Sequence, residues 1–565
     1  MTTTYYISGL GSDNNNGLTP QTPFRNIQTA ANLTQPGDIV YVMNGTYTAS
    51  NPNSDIVRIT RSGTADAWIT YQAYPGANPK LVSNNWHAFA ILGASHIIID
   101  GFELQGNNDN ITLPQAIAEQ NNLGNPLTSG NGIGIRPSDD ATPTYPHHIV
   151  IRNNEVYKFG GGGIYTYHAD YVTIENNLVY NNAWYAPYGN SGISNYQNWN
   201  SDSSSGYRMI IRGNVTYNNQ NLIPWFQVGR VTDGNGIIVD DTRNTQNNST
   251  LGVYQGRTLV ENNLSYNNGG RGINVYSSNF VDIVNNTTYQ NSQHPAIDGG
   301  EITVGTANDV RVLNNIMSAT SGKPANKVSN SSNILFDYNL LFNSVLYTQT
   351  GANDLIGVDP LFLDPSIGNF ALRSNSPALN RGINGLTSRD IVGTLRPIGS
   401  GTDIGAFEGV GVIRGSKNRD RLTGTRLIDW IDGGNDNDRI VGDRGNDRLL
   451  GGQGNDFIVG QTGDDVLIGG LGSDRLTGGA GKDIFGLRRR EGLDVITDFQ
   501  IGQDYLGLPK STSFRGLRLV QSGRNTTVQL GGEPLALLIG VRANQLLRSS
   551  FAFSNTFYQP VDFVG

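Results

Sequence analysis

Cysteine is absent from the 565 residues, which excludes a disulfide framework and thiol chemistry. Charge is also scarce: charged residues make up 15%, against about 25% in an average domain, and the net charge of −8 is unlike the basic field that binds nucleic acid. No apolar run is long enough to span a membrane, and residues 1–6 do not begin a secretory signal. We therefore expect no nucleic-acid partner, no transmembrane segment, and a source of stability other than disulfides, with a metal as the first candidate.

Glycine, by contrast, is abundant, at 72 residues. It has no period of three and proline numbers only 22, so a collagen-like chain is excluded. Hydrophobic residues at 37% and aromatic residues at 9% can bury a sizeable core, which excludes disorder. The composition predicts an all-β, turn-rich protein, and the length predicts about two or three domains.

A nine-residue period marks the C-terminal part of the chain. Glycines recur at every ninth position from Gly415 to Gly478, an aspartate follows each after five residues, and an apolar residue comes two further on. A glycine-rich half-turn leaves backbone carbonyls free, and hard oxygen ligands of this kind suit Ca²⁺. The predicted calcium ligands are Asp438, Asp447, Asp456, Asp465, Asp474 and Asp483.

These repeats resemble the repeats-in-toxin calcium-binding β-roll, whose unit is G-G-x-G-x-D-x-U-x, and residues 451–459 match it fully. The resemblance is specific over 433–486, whereas residues 415–432 depart from the pattern. Residues 487–565 resemble the cap and export region that follows such repeats. The resemblance implies Ca²⁺ as cofactor, and secretion through a type I export machinery that reads the C-terminus.

A looser repeat of about 23 residues runs through the N-terminal part. Short alternating strands end in an asparagine, and from Asn154 to Asn339 an aromatic residue generally follows three positions later. Coils of three short strands, stacked many times, predict a right-handed parallel β-helix solenoid with an internal asparagine ladder and an aromatic stack.

The two ends of this part resemble the opening and closing segments of secreted bacterial, pectate-lyase-like β-helix proteins that act on polysaccharides. Residues 5–42 carry the first resemblance and residues 359–408 the second. The expected organisation follows the chain from a cap with first coils to the export region: 1–96 N-terminal cap and first coils, 97–350 right-handed parallel β-helix, 351–414 closing cap segment and linker, 415–486 calcium β-roll, 487–565 C-terminal cap and export region.

One face of the solenoid is predicted to form a groove. Five strands begin with a Gly-Ile step, from Gly132-Ile133 to Gly272-Ile273, and alternation points their next polar residues outward. Insertions at 181–206 and 218–257 would supply walls. Aromatic rings stack on sugar rings and charged groups hold hydroxyls or carboxylates, so this strip suits an extended sugar chain. The predicted substrate-binding residues are Arg136, Tyr196, Asn274, Tyr276 and Glu301.

Two chemistries are open on this strip. Elimination next to a uronate carboxylate needs a base and cations, which Tyr167, His168 and Arg271 could supply, together with Arg136. Hydrolysis needs two carboxylates, available from Asp233, Asp240 and Asp241, with Glu301. Residues 233–236 with 240–241 could instead form a calcium site or a simple turn. The predicted catalytic set is Tyr167, His168, Asp233, Asp240, Asp241 and Arg271.

A β-helix followed by calcium repeats is also similar to the secreted bacterial alginate epimerases. Their catalytic tyrosine with an Asp-Pro-His run is absent, since residues 165–170 hold the residue types in another order. The sequence therefore predicts a secreted calcium-binding protein that binds an extracellular, acidic polysaccharide and cleaves or modifies it in a lyase-like way. A glycoside hydrolase on the same groove, or a non-enzymatic surface-layer, sheath or adhesion protein, is the alternative.

Overall fold

The computed structural model describes residues 2–49, 54–398, 400–409, 413–424 and 427–554. Nearly all of their regular structure is β-strand, and most strand pairs are parallel. The chain divides into two compact units, one of residues 1–360 with 377–408, the other of residues 361–376 with 409–565. Both units contain stacked parallel strands, so the predicted all-β class, a β-helix followed by a β-roll, is confirmed.

The first unit is a β-helix of three parallel sheets, which the chain visits in the order S1, S2, S3 in each coil. The strands of sheet S1 are Thr4–Ile7, Ile39–Val42, Ile69–Ala73, Ser95–Asp100, His147–Arg152, the second half of Ile164–Glu175, Tyr207–Arg212, Arg257–Glu261, Asn279–Val284, Asn308–Leu313 and Ser332–Asp337. The strands of S2 are Thr46–Tyr47, Lys80–Val82, Glu103–Gln105, Glu155–Tyr157, Leu178–Tyr180, Val215–Tyr217, Leu264–Tyr266, Thr287–Tyr289, Ile316–Ser318, Leu340–Phe342 and Leu355–Ile356.

Sheet S3 carries the outward face that matters for function. Its strands are Val57–Ile59, His87–Leu92, Asn131–Arg136, the first half of Ile164–Glu175, Ile193–Asn198, Ile237–Asp240, Ile273–Tyr276, Ile302–Gly305 and Asn326–Ser329. The helices of this unit are Ile27–Ala31, Leu113–Ala118, Pro126–Ser129 and the 3₁₀ turn Asn108–Asn110. The isoleucines of the Gly-Ile steps pair with one another and are fully buried, so alternation turns the residue after each of them to the surface.

A ladder of buried asparagines crosses the turns between S1 and S2. Each asparagine accepts the backbone N–H of its counterpart in the preceding coil on Oδ1, and donates from Nδ2 to the counterpart in the following coil. The ladder consists of Asn154, Asn177, Asn214, Asn263, Asn286, Asn315 and Asn339. At its end, Asn339 donates its backbone N–H to Asp354 at 2.7 Å.

A second ladder lies at the turns between S2 and S3. Asn182, Asn219, Asn268 and Asn291 are linked by Nδ2–H···Oδ1 bonds of 3.2, 2.9 and 2.8 Å. Glu301 ends this ladder, since its carboxylate accepts both the backbone N–H and the Nδ2 of Asn291, at 2.8 and 2.5 Å. The two ladders satisfy the buried turns and fix the register of the coils.

The parallel coils begin with Ile39–Val42, within the 1–96 segment expected to hold the N-terminal cap and first coils, and the strand Thr4–Ile7 pairs with this strand. Residues 377–408 contact the turns between S1 and S2: Asn262, Asn285 and Asn314 donate side-chain hydrogen bonds to their backbone carbonyls. Among the described residues, no helix is both long and apolar enough for a membrane span.

The second unit is a two-sheet roll built on the nonapeptide repeats. One sheet contains Ile413–Arg414, Trp430–Asp432, Arg448–Gln453, Val466–Leu471, Ile484–Gly486, Tyr505–Leu508 and Phe551–Phe553. The other contains Arg421–Thr423, Arg439–Arg444, Phe457–Thr462, Arg475–Ala480, Asp494–Ile496 and the antiparallel strands Leu517–Ser522, Asn525–Leu530 and Glu533–Leu538. The remaining elements are the hairpin Phe362–Asp364 with Asn369–Leu372 and the 3₁₀ turns Pro365–Ile367, Phe514–Gly516, Ala543–Gln545 and Arg548–Ser550.

Candidate functional site

A long groove of about 1270 Å³ runs along the outer face of S3. Its floor reaches from Arg58 on the strand Val57–Ile59 to Ser329 on Asn326–Ser329, so it crosses every S3 strand between them at about 4.8 Å per coil. Its walls come from the insertions before and after these strands, including Tyr188, Trp225 and Phe226. The Tyr188 ring packs edge-on against Phe226, with centroids 5.7 Å apart. The groove is therefore large enough for an extended polymer.

The outward column predicted from the Gly-Ile steps is present in register. Tyr167 pairs with Tyr196, Tyr196 with Asp240, and Asp240 with Tyr276. Arg136, Tyr196, Asp240 and Tyr276 line the groove, and Asn274 lies beside them on its floor. The Tyr276 side chain is 47% exposed, which leaves its ring open to a ligand.

Two carboxylates occupy the middle of the groove. Asp233 is buried, and its oxygens accept from Thr232 Oγ1 at 2.7 Å and Asn235 Nδ2 at 2.9 Å. Asp240 accepts from Gln246 Nε2 at 2.9 Å. Burial, reinforced by repulsion from Asp233, raises the pKa of Asp240 to about 8. The Asp240 carboxyl thus carries a proton at neutral pH, which is the state a general acid requires.

Arg271 borders these carboxylates. The Asn235 side chain accepts the backbone N–H of Arg271. The Nη1 of Arg271 donates to the Thr232 carbonyl at 2.7 Å, which holds the Arg271 side chain at the groove wall. Its Nε is buried and makes no hydrogen bond within the described part of the chain.

A hydrogen-bonded triad not identified from the sequence lies toward the first strand of the groove. Asp55 Oδ1 is 2.8 Å from Nδ1 of His87, and Nε2 of the same ring is 2.9 Å from the Tyr165 hydroxyl. His87 is only 6% exposed, and all three residues line the groove. Burial raises the pKa of Tyr165 to about 12, so its hydroxyl keeps its proton at neutral pH. A carboxylate that orients an imidazole toward a hydroxyl is the arrangement of an acid–base relay.

Gly134 allows the triad to form. It pairs with Tyr165 in S3, and a Cβ on it would lie 2.7 Å from Cδ2 of His87 and 2.8 Å from Cε1 of Tyr165. The sequence contained a signal for the strand that carries His87, because Phe89 and Ile91 alternate inward on His87–Leu92. The predicted strip did not include this strand, since the strand lacks the Gly-Ile step that defined the strip.

Arginines lie beside the triad. Arg58 and Arg136 both pair with the exposed Asp139, and these contacts lower the pKa of Asp139 to about 2. An exposed carboxylate held by two guanidinium groups occupies the position that a ligand carboxylate could take.

The structure places the other predicted site residues away from the groove lining. The rings of Tyr167 and His168 stack on one another at 3.8 Å, and His168 Nε2 lies 3.1 Å from Gln197. Asp241 is fully buried and accepts the backbone N–H groups of Thr245 and Gln246, so it anchors the loop after Asp240.

Glu301 is likewise inward, at 1% exposure, where it ends the second asparagine ladder. Of the eleven residues predicted for catalysis and substrate binding, the groove brings together those that face outward on S3 or its flanking turns. They are Arg136, Tyr196, Asp233, Asp240, Arg271, Asn274 and Tyr276.

The roll carries the predicted calcium ligands. Each predicted aspartate accepts on Oδ1 the backbone N–H of the aspartate 18 residues earlier, for example Asp438 N–H to Asp456 Oδ1 at 2.7 Å. The Oδ2 atoms are buried and accept no hydrogen bond from any described residue; they belong to Asp438, Asp447, Asp456, Asp465, Asp474 and Asp483. Buried anionic oxygens without donors fit a hard cation such as Ca²⁺.

The first glycine of each repeat makes room for this oxygen. A Cβ on Gly460 would lie 2.1 Å from Oδ2 of Asp465, and one on Gly451 would lie 2.3 Å from Oδ2 of Asp456. Glycine at this position is therefore a requirement of the carboxylate five residues later. The ladder also extends beyond the repeats, because Asp494 and Asp504 accept the backbone N–H groups of Asp474 and Asp483.

Comparison with known proteins agrees with both units. Residues 5–303 match the family described as Pel9A-like, right-handed β-helix region. Residues 414–449 and 450–485 each match the RTX calcium-binding nonapeptide repeat. No curated protein sequence matches the chain.

Several solved structures are similar to it. Pectate lyase Pel9A is 16% identical, with 72% of this chain and 96% of that one covered and a TM-score of 0.45. A rhamnogalacturonan lyase is 16% identical, with 65% and 92% covered and a TM-score of 0.36. The A-module of Azotobacter vinelandii mannuronan C-5 epimerase AlgE6 is 15% identical, with 59% and 90% covered and a TM-score of 0.34. RTX calcium-binding repeats follow the β-helix along the sequence. Since the family match spans more than half of the 565 residues, the chain belongs to the Pel9A-like right-handed β-helix family.

Proposed function

We propose that the protein binds an acidic polysaccharide along the S3 groove and cleaves it by β-elimination. The observation that carries this proposal is the charge of the groove. The protein as a whole has a net charge of −8, yet the groove lining holds five cationic side chains against four carboxylates. The cations are Arg58, Arg136, Arg230, Arg271 and Lys327, and the carboxylates are Asp55, Asp233, Asp240 and Asp298.

Protonation adds to this local excess of positive charge, because the pKa of Asp240 is raised to about 8 and its carboxyl is largely neutral at pH 7. A cationic groove in an acidic protein selects polyanions by electrostatic attraction and rejects neutral chains of the same shape. Aromatic side chains along the groove, among them Tyr196, Trp225 and Tyr276, supply the faces on which sugar rings stack.

Elimination requires three groups near one uronate unit. Arg136 and Arg58 pair with the uronate carboxylate in place of Asp139, which acidifies the hydrogen on the adjacent carbon. Tyr165 passes its proton to Nε2 of His87 while its oxygen takes the carbon-bound hydrogen. The freed electron pair forms the C=C bond, the glycosidic C–O bond breaks, and the departing oxygen takes a proton from the same hydroxyl; Tyr165 is reset by the His87 proton. Asp55 stabilises the transient imidazolium.

A hydrolase is the second candidate, because hydrolysis uses two carboxyl groups and both Asp240 and Asp233 line the groove. The raised pKa of Asp240 keeps it protonated as the acid. This reaction depends on Asp240 and not on the triad of Asp55, His87 and Tyr165.

We also propose that the protein works outside the cell, where Ca²⁺ at millimolar concentration folds the roll after type I export. Extracellular calcium modules bind at about 10⁻⁴ to 10⁻³ M, so the roll stays unfolded in the cytosol. The buried Oδ2 atoms of the repeat aspartates support this dependence.

The test is product analysis with the full-length, calcium-saturated protein on polyuronates and neutral polysaccharides. Elimination gives an unsaturated product that absorbs near 230 to 240 nm, whereas hydrolysis gives reducing ends without that absorbance. Tyr165→Phe is expected to reduce elimination by about 10²- to 10⁴-fold. Tyr167→Phe is the matched control, since Tyr167 lies on the same strand but does not line the groove.

Each outcome separates the candidates. Reducing ends alone, lost in Asp240→Asn, would establish the hydrolase instead. Binding of polyuronates without any product would favour the surface-layer or adhesion alternative, and absence of binding by the folded protein would refute the acidic polysaccharide as ligand.

A further inference from the structure

Three of the chain's six histidines meet on the outer face of sheet S1, away from the groove lining. His96 belongs to Ser95–Asp100, and His147 and His148 begin the neighbouring strand, in which His147 pairs with Ser95. One ligand nitrogen of each ring lies within 4.8 Å of the others.

Ring stacking accounts for two of these histidines. The second residue of many S1 strands adopts a left-handed backbone, and at this position the rings of His96, His148 and Tyr171 stack at 4.8 and 4.5 Å. Flat side chains in such a column need no ligand. A stack of this kind does not explain the third histidine.

His147 stands perpendicular to both stacked imidazoles, at 84° to His96 and 82° to His148. Its Nδ1 lies 2.8 Å from Nδ1 of His148. Two imidazole nitrogens approach so closely only when a single proton lies between them or when a cation joins them, because two N–H groups or two lone pairs would repel.

The surroundings favour neutral imidazoles. Burial lowers the pKa of all three histidines, and repulsion between the rings adds to this for His96 and His147. Trp68 packs edge-on against His96, and Trp199 lies beside His147. Two carboxylates, Asp170 and Asp202, act on His148 from nearby, and Arg208 pairs with both of them.

We propose that His96, His147 and His148 form a site for a divalent transition metal, with Zn²⁺ as the physiological ion because imidazole nitrogen is one of its preferred ligands. Three neutral imidazoles are a zinc ligand set that leaves a fourth position open, at N–Zn distances of about 2.0 to 2.1 Å. Ca²⁺ does not compete, since it takes oxygen ligands. The site joins two neighbouring coils that are separated in sequence by the insertion carrying Leu113–Ala118 and Pro126–Ser129.

The experiment is a Zn²⁺ titration of the chelator-stripped, full-length protein in excess Ca²⁺, read by competition with a chromophoric chelator and repeated with Co²⁺ for its d–d absorption. One zinc per chain is expected, with a higher melting temperature. His147→Ala should weaken zinc affinity by more than about 100-fold, since the loss of a group that only hydrogen-bonds to a metal ligand already lowers metal affinity by about 10- to 100-fold.

His148→Phe keeps the stack but removes a ligand, and it is compatible with the backbone because Phe280 occupies the same strand position at a φ of 58°. It should abolish stoichiometric binding while the apo protein melts as the wild type does. His294→Ala, a histidine outside the cluster, is the matched control. Unchanged zinc affinity in His147→Ala and His148→Phe, or no binding by the wild type, would overturn the proposal.

Discussion

The two units of this protein are both parallel solenoids that carry a polar ladder inside, and the ladders differ in one functional group. In the β-helix the rung is asparagine, whose amide accepts from one coil and donates to the next, as Asn214 does with Asn177 and Asn263. In the roll the rung is aspartate, whose Oδ1 accepts a backbone N–H and whose Oδ2 has no donor among the described residues.

This difference decides whether a solenoid needs a metal. An amide provides both donor and acceptor, so the asparagine ladder is complete within the protein. A carboxylate only accepts, and burial, reinforced by repulsion between the stacked carboxylates, raises the pKa of Asp456 to about 6 and of Asp465 to about 8. We therefore expect the roll to need a cation in order to fold.

The largest expected effect is that of calcium removal. A chelator should abolish the folded structure of the roll and leave the β-helix folded, because only the roll has a ladder without donors. Hydrogen exchange measured by mass spectrometry should show full loss of amide protection over 427–486 and little change over 97–340. Protection retained in the roll without Ca²⁺ would contradict the comparison.

Asn214→Asp comes second. In the native chain, Nδ2 of Asn214 donates to the carbonyl of Ile174 and to Asn263. The substitution replaces this amide by a carboxylate, which can only accept hydrogen bonds. We expect a loss of about 3 kcal/mol or more in the free energy of unfolding, because a charge is buried and both hydrogen bonds from Nδ2 are lost. Denaturant unfolding in excess Ca²⁺ measures it, and Asn214→Ala separates the charge from the lost hydrogen bonds.

The reciprocal change, Asp456→Asn, should have a smaller effect. The amide oxygen can still accept the Asp438 N–H, but the negative charge is gone. The Ca²⁺ concentration at which the roll folds should rise by about 10-fold, which corresponds to about 1.4 kcal/mol. Circular dichroism during a calcium titration measures this midpoint, and an unchanged midpoint would remove Asp456 from the ligand set.

The stability of the β-helix should also depend on pH through Asp240. Its pKa in the folded protein, about 8, lies above the ordinary value of 3.8, so the folded state binds the proton more tightly than the unfolded state. The stability this provides is complete below pH 4 and is lost as the pH rises to 8. Asp240→Asn should therefore be more stable than the wild type by at least about 1 kcal/mol at pH 9, and its advantage should shrink toward pH 4 in thermal melts. A constant difference across pH would contradict the shifted pKa.

The structural features that could be predicted from the sequence are those that repeat with a regular spacing. The nine-residue spacing identified the roll, and the recurring asparagines identified the first ladder, because stacking forces equivalent residues to equivalent positions. The second ladder was missed although its signal is present, an asparagine two residues after each of Tyr180, Tyr217, Tyr266 and Tyr289. Glu301 was placed on the groove by analogy with the Gly-Ile strands, whereas its carboxylate turns inward to Asn291.

The triad could not be predicted from spacing. Asp55, His87 and Tyr165 come from different coils, 32 and 78 residues apart, and no period relates them. Their meeting depends on side-chain directions and on the missing Cβ of Gly134, which are set by packing between coils. Sequence reasoning located the strip but not the contacts across it.

Both asparagine ladders end at a carboxyl group. Asp354 and Glu301 accept the last donor of each ladder, and a carboxyl group, unlike an amide, has no N–H to pass on to a further coil. A coil duplicated anywhere between Asn177 and Asn315 would instead meet an acceptor on one side and a donor on the other. Gene duplication could thus lengthen the β-helix from within and extend the S3 groove by one coil, while the ends of both ladders kept their chemistry.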